Sequence, residues 1–192
     1  MRPLIVAMLA LIGAPFTAKA ELNCTLTVNP VRFDAISGTS TGTFDARGAM
    51  TVSCMGSQGA TIAACIEISP GAASGLSGQR LLSSAKGREA LPVQIFQDAT
   101  LARPWGMAAA GQAQLLQRSG DGPMTATAYL RAYLRKGAAA PGTYSADFSV
   151  TLRYGISTGA MTHCDALEAA SSSAHAAGQQ RSVLVPLALR KR

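Results

Sequence analysis

Charge and aromatic side chains are both scarce in this chain. Of 192 residues only 14% are charged and 5% aromatic, with one tryptophan, Trp105, and two histidines. The ten acidic residues are scattered, and their nearest couples, such as Asp165 with Glu168, lie in a polar stretch without aromatic neighbours. General acid and base chemistry needs groups whose surroundings push their pKa values apart, so these carboxylates read as solvated surface. Basic residues outnumber acidic ones, but they form no run longer than Arg190-Lys191-Arg192, which argues against nucleic acid as a partner. C-x-x-C spacing is missing, and His163-Cys164 has no matching motif, which argues against zinc. No cofactor motif is found.

Long apolar runs are also missing, with one short exception at the start. MRPLIVAMLALIGAPFTAKA has a basic Arg2, an apolar stretch from Leu4 to Ile12, and a small-x-small ending at Ala18-Lys19-Ala20. That layout predicts a secretory signal peptide over residues 1–20, because the run falls short of the roughly 18 to 20 residues that span a bilayer. Cleavage after Ala20 removes Arg2 and Lys19, taking the formal charge from +7 to +5, and leaves residues 21–192 as a single domain with no transmembrane segment. Export also sets the redox expectation. Cys24, Cys54, Cys65 and Cys164 are an even set in an oxidising compartment and read as two disulfides.

What is abundant is strand pattern. From Tyr144 to Tyr154, Tyr144, Ala146, Phe148, Val150, Leu152 and Tyr154 alternate with Ser145, Asp147, Ser149, Thr151 and Arg153. Period-two alternation of this length predicts a strand with one buried face and one wet face. Shorter versions occur at 24–31, 49–54, 61–69, 91–97 and 125–134, separated by the turn-forming clusters SGTSTGTFDARG, SPGAASGLSG, SGDGP and KGAAAPG. Many strands and no long amphipathic helix predict an all-β antiparallel sandwich. Residues 165–180 are Ala- and Ser-rich without an apolar period, which leaves a loop or a short helix open. Beyond them, 181–192 form a final strand and basic tail in which Val183, Val185, Leu187 and Leu189 alternate, and Pro186 assigns that strand to a sheet edge or bulge. If Cys24 opens the first strand and Cys54 closes the second, antiparallel pairing sets them side by side and leaves Cys65 for Cys164.

One catalytic-looking motif exists. Gly155-Ile156-Ser157-Thr158-Gly159 matches G-x-S-x-G, with Asp165 and His175 following in the order used by α/β-hydrolases. That fold needs a parallel sheet, a helix directly after the serine and distant partners, none of which the surrounding sequence offers, so the chain reads as non-catalytic. Trp105, in Ala102-Arg103-Pro104-Trp105-Gly106, is either a core plug near a turn or an exposed sugar-stacking platform.

The order of these features resembles the spore coat protein U domain family, which includes subunits of Csu-type, or archaic, chaperone-usher pili. The resemblance rests on Cys24-Thr25-Leu26-Thr27-Val28 leading to Pro30-Val31-Arg32-Phe33, on Thr51-Val52-Ser53-Cys54, and on Ala64-Cys65-Ile66-Glu67-Ile68-Ser69-Pro70-Gly71. It continues in Arg80-Leu81-Leu82, in Leu91 to Asp98 leading to Trp105-Gly106, and in Pro141-Gly142-Thr143-Tyr144-Ser145-Ala146-Asp147. The chain departs from the family at Phe33-Asp34-Ala35-Ile36, where Phe-Gly-x-Tyr is usual, and at Tyr133-Leu134-Arg135, where Tyr-Gly-Arg is usual.

The resemblance implies an immunoglobulin-like sandwich exported to the periplasm and then to the cell surface or a fimbrium. Its implied partners are a periplasmic chaperone, an outer-membrane usher and other pilus subunits, and its implied role is attachment or biofilm formation. Such a pilin lacks one strand and is completed by β-augmentation. A lent strand needs about ten residues, whereas cleavage at Ala20 leaves only Glu21, Leu22 and Asn23 ahead of Cys24. The expectation is therefore a tip-like or minor subunit, or else a free-standing module binding a carbohydrate or surface polymer. The candidate groove or edge strand comprises Val183, Val185, Leu187 and Leu189 with Phe148, Val150, Leu152 and Tyr154.

Overall fold

The computed structural model describes residues 21–34, 41–70, 80–84, 90–135, 140, 142–157, 159–164 and 167, and the backbone of 181–191. The predicted signal peptide, Asp165, His175 and nearly all of the 165–180 segment lie outside the described residues.

The described residues form ten strands: β1 (Asn23–Val28), β2 (Val31–Arg32), β3 (Gly42–Met55), β4 (Thr61–Ile68), β5 (Arg80–Ser84), β6 (Ala90–Phe96), β7 (Gln114–Ser119), β8 (Gly122–Leu134), β9 (Gly142–Ser157) and β10 (Arg181–Lys191). They form a continuous path β1-β3-β8-β6-β5-β9-β10-β2, with β4 joined to β9 and β7 to β4. All pairings are antiparallel except β10 with β2. β5 makes the corner, pairing with β6 from Arg80 to Ser83 and then with β9 at Ser83 and Ser84. The β1-β3-β8-β6 layer faces the β7-β4-β9-β10-β2 layer, which is the strand order of an immunoglobulin-type sandwich with β10 in the seventh-strand position.

Sequence alternation accounts for most of these strands. In β9, Tyr144, Phe148, Val150, Leu152 and Tyr154 are buried while their neighbours are not. β4 breaks the pattern, being buried on both faces. Ile62, Ala64, Ile66 and Ile68 enter the main core with Val52, Leu91, Val93 and Leu152, and Ala63 and Cys65 belong to a second cluster with Ala108, Cys164 and Leu167. Each fully buried aliphatic side chain contributes about 1.5–3 kcal/mol, which is why a strand covered twice can be almost continuously apolar.

Three features depart from the sequence reading. Gly42 to Gly48, expected to belong to a turn cluster, extend β3, because Phe44 and Ala46 pack on the core and the segment pairs with β8 along its whole length. Strands β5 and β7 carry too few alternating residues to stand out, and are held by pairing with β6 and β4. Leu167, inside the stretch read as having nothing to bury, is buried in the second cluster.

Candidate functional site

The candidate groove lies along β9. Phe148, Val150, Leu152 and Tyr154 are all buried, and beside Phe148 and Val150 is a small apolar void of about 20 Å³ lined also by Val31, Met50, Ile95 and Leu130. β10 runs antiparallel to β9 from Arg181 opposite Leu152 to Lys191 opposite Gly142. The register sets Val183 opposite Val150, Val185 opposite Phe148, Leu187 opposite Ala146 and Leu189 opposite Tyr144. On its other side β10 meets β2 in parallel at Leu187 and Ala188. Pro186, which has no N–H to offer, faces Asp147 immediately before that bridge.

The four cysteines are joined as Cys24–Cys54, across the β1–β3 register, and Cys65–Cys164. The first bond fixes the start of the described chain. Glu21 is already packed against the domain: Gly56 has φ +90°, and a Cβ there would lie 2.5 Å from the Glu21 carbonyl oxygen. Only glycine accepts both that conformation and that approach. The Gly56 and Ser57 N–H groups donate to Asp121, tying this corner to the β7–β8 turn. The second bond fastens the segment after β9 to the outer face of β4.

Two charged residues inside the fold escaped the sequence reading. Arg80 is 3% exposed, and among the described residues no carboxylate pairs with it. Its guanidinium donates to the carbonyls of Ser69, Ile68 and Trp105 at 2.9–3.0 Å and lies 5.7 Å from the Phe148 ring centre. Burial pushes its pKa down to about 10, still far above neutrality, so the charge persists. Glu67 is 1% exposed; its Oε2 accepts from the Ala108 N–H, and its Oε1 lies 2.9 Å from Arg153 Nε. An arginine at the head of RLL and a glutamate within TIAACIEIS are the sequence signals for both, since a charge within an apolar run must find a partner.

These charges organise the 105–112 segment. Trp105 is a core plug, with its indole N–H donating to Ile66 and its backbone N–H to Ile95. Gly106 bonds to Ile68 and Gln112, and a Cβ on it would collide with the Gln112 amide. Ser157, the serine of the G-x-S-x-G match, is buried at the end of β9 with its hydroxyl bonded to Gly159. Nothing among the described residues places a histidine or carboxylate in hydrogen-bond contact with it.

The described residues form an immunoglobulin-type sandwich pinned by two disulfides. The model of the Spore Coat Protein U domain matches residues 13–151, and the chain belongs to that family. The matched stretch ends within β9, so β10 lies beyond it. No curated protein matches the chain in sequence. Among solved structures it is similar to the CupB6 tip adhesin from Pseudomonas aeruginosa, at 17% identity and a TM-score of 0.47, covering 86% of this chain and 52% of that one. It is also similar to AggA, the major subunit of aggregative adherence fimbriae type I from Escherichia coli, at 10% identity and 0.45, covering 90% and 96%. A third is the CssB subunit of enterotoxigenic Escherichia coli colonization factor CS6, complemented with a donor strand from CssA, at 11% identity and 0.43, covering 85% and 97%.

Proposed function

We propose that this protein is a structural or adhesive subunit of a secreted chaperone-usher pilus, of the tip-like or minor kind, serving surface attachment or biofilm formation without catalysis. Family membership supports the class, and the tethering of Glu21 and Cys24 supports the kind. In donor-strand complementation a pilin short of one strand receives it from a chaperone and then from another subunit. Here the seventh-strand position is taken by the chain's own β10, paired with β9 over residues 181–191. A tip subunit still has to accept one strand from its neighbour, so on this reading β10 covers the acceptor position beforehand and gives way to the incoming strand. With Glu21 packed against Gly56 and Cys24 tied to Cys54, the subunit has little to lend after cleavage at Ala20. The periplasm, a chaperone and an usher are the compartment and partners this reading requires.

The purified full chain is expected to stay monomeric, and deleting residues 181–192 is expected to lower its melting temperature and make it bind the chaperone expressed with it. Self-assembled fibres of the full chain in electron micrographs would refute the tip-like assignment, and an unchanged melting temperature after the deletion would remove β10 as the completing strand. The same β10 pairing also supports a second reading, a free-standing surface-binding module. That reading predicts that neither the full nor the shortened chain co-purifies with a chaperone.

A further inference from the structure

On the outer side of β4, away from β10, is a cavity of about 590 Å³, within the roughly 300–1,000 Å³ typical of small-ligand sites. Its walls are Gln97 with Ala102–Pro104 at the end of the Asp98 turn, the 108–117 stretch that runs into β7, and Met161–Cys164. Amides dominate its polar lining: Gln97, Gln112, Gln114 and Gln117, joined by Arg103 and His163.

Much of this hydrogen-bonding capacity is unused. Gln97 spends its N–H groups on the Pro104 and Gln112 carbonyls, at 3.1 and 2.8 Å, and keeps its Oε1. Gln114 donates to Leu115, while its Oε1 is buried with no partner among the described residues. A buried acceptor left unpaired is destabilising and calls for an explanation. The side chains of Gln112, Gln117 and His163 make no hydrogen bond to other described residues.

The frame is nevertheless rigid. Asp98 accepts from the N–H groups of Thr100, Ala102 and Arg103, fixing the turn, and Cys65–Cys164 clamps the opposite wall. Polar groups held in place but unpaired are what a preorganised binding site requires.

The donor set selects the ligand class. Primary amides present donors and acceptors side by side, matching hydroxyls, which are both at once. An anion would call for clustered cations, yet the one arginine in the wall, Arg103, is 66% exposed and sits 3.6 Å from Asp98. An apolar ligand would leave the amides stranded.

We propose that this cavity binds a neutral saccharide, one hexose or N-acetylhexosamine unit of a surface glycan. Among the described residues no Trp, Tyr or Phe lines it for stacking, so a single sugar binds weakly, with a dissociation constant of about 1 mM. This assignment stands on the cavity and holds whether or not the subunit enters a fibre. Its failure would leave the chaperone and fibre tests untouched.

The test is titration of the full isotope-labelled chain with glucose, galactose, mannose, N-acetylglucosamine and N-acetylgalactosamine, followed by NMR of the glutamine side-chain amides. At least one sugar should shift the Gln112 and Gln117 amides saturably, and the double variant Gln112→Ala, Gln117→Ala should weaken that binding at least tenfold. Should the double variant unfold, Gln117→Ala alone, at an exposed position of β7, should weaken it at least threefold. The proposal is overturned if all five sugars leave these amides unmoved, or if the variant that folds binds undiminished. Preferential binding of glucuronic acid that is lost in Arg103→Gln would overturn it too, by making this an anion site.

Discussion

Replacing Arg80 by methionine isolates the contribution of its guanidinium, because the apolar stem is kept and only the charged head goes. Three hydrogen bonds are lost, to Ser69, Ile68 and Trp105. Bonds from a charged donor contribute about 1.5–3 kcal/mol each, so the gross loss is about 4–9 kcal/mol. Against this stands the relief of a buried charge. A guanidinium pKa pushed from 12.5 down to about 10 corresponds to roughly 3 kcal/mol, at ~1.4 kcal/mol per factor of ten in the protonation equilibrium. The net destabilisation is therefore about 3 kcal/mol. With a urea m-value of about 2 kcal/mol/M, the unfolding midpoint should fall by about 1.5 M at constant slope. Arg80→Lys should fall between, since an ammonium cannot span three carbonyls in a plane. Buried ion pairs are often replaced by apolar residues at no cost, but there both polar partners leave together. Here the acceptors are backbone carbonyls that no side-chain substitution removes. A midpoint for Arg80→Met within about 0.3 M of the parent would show that those carbonyls are satisfied otherwise, and the reasoning would fail.

The disulfides should differ in weight. In the chain-entropy model, bonds closing separations of 30 and 99 residues are worth about 3.6 and 4.7 kcal/mol, so the Cys65→Ala, Cys164→Ala pair should unfold at lower denaturant than the Cys24→Ala, Cys54→Ala pair. The reverse order would place their effect in native-state packing. The Asp98 turn should be acid-sensitive at an unusually low pH. Hydrogen bonds from the Thr100 hydroxyl and the Ala102, Arg103 and Thr100 amides depress the Asp98 pKa to about 2. Because the folded value lies below the unfolded one, the stabilisation is complete above about pH 4 and is lost as pH falls through about 2. The amide shifts of Thr100, Ala102 and Arg103 should titrate together near 2, and a common midpoint near 4 would contradict the turn geometry.

Much of the fold could be read from residue order, because β-sheet burial writes itself as alternation. β9 is the clearest instance: each side chain assigned to the core face between Tyr144 and Tyr154 is buried except Ala146, which is half-buried. The method failed where a strand is held by its neighbours more than by its own pattern. Gln114–Ser119 reads as nothing in particular, and becomes β7 because β4 offers it an edge from Thr61 to Ile66. The cavity was illegible for a related reason. Gln97, Gln112 and Gln114 are ordinary polar residues until the Asp98 turn and the Cys65–Cys164 bond bring them around one space, and nothing local marks that convergence.

The two faces of β4 and β9 separate two tasks that need opposite chemistry. Completing the sandwich at β10 calls for main-chain pairing above an apolar floor, supplied by Phe148, Val150 and the void beside them. Recognising a soluble ligand calls for unpaired polar groups on a rigid frame, supplied on the outer side of β4. Arg80 and Glu67 couple the two without mixing them. One charge is spent on backbone carbonyls at the end of β4 and at Trp105, the other on the Ala108 N–H and Arg153. Both therefore hold the 105–112 segment against the sandwich. A perturbation at Arg80 should thus reach the cavity through Trp105, whereas loss of β10 should leave the frame of the cavity anchored by Cys65–Cys164. The β10 pairing at the groove and the polar cavity are in that sense separable features of one domain.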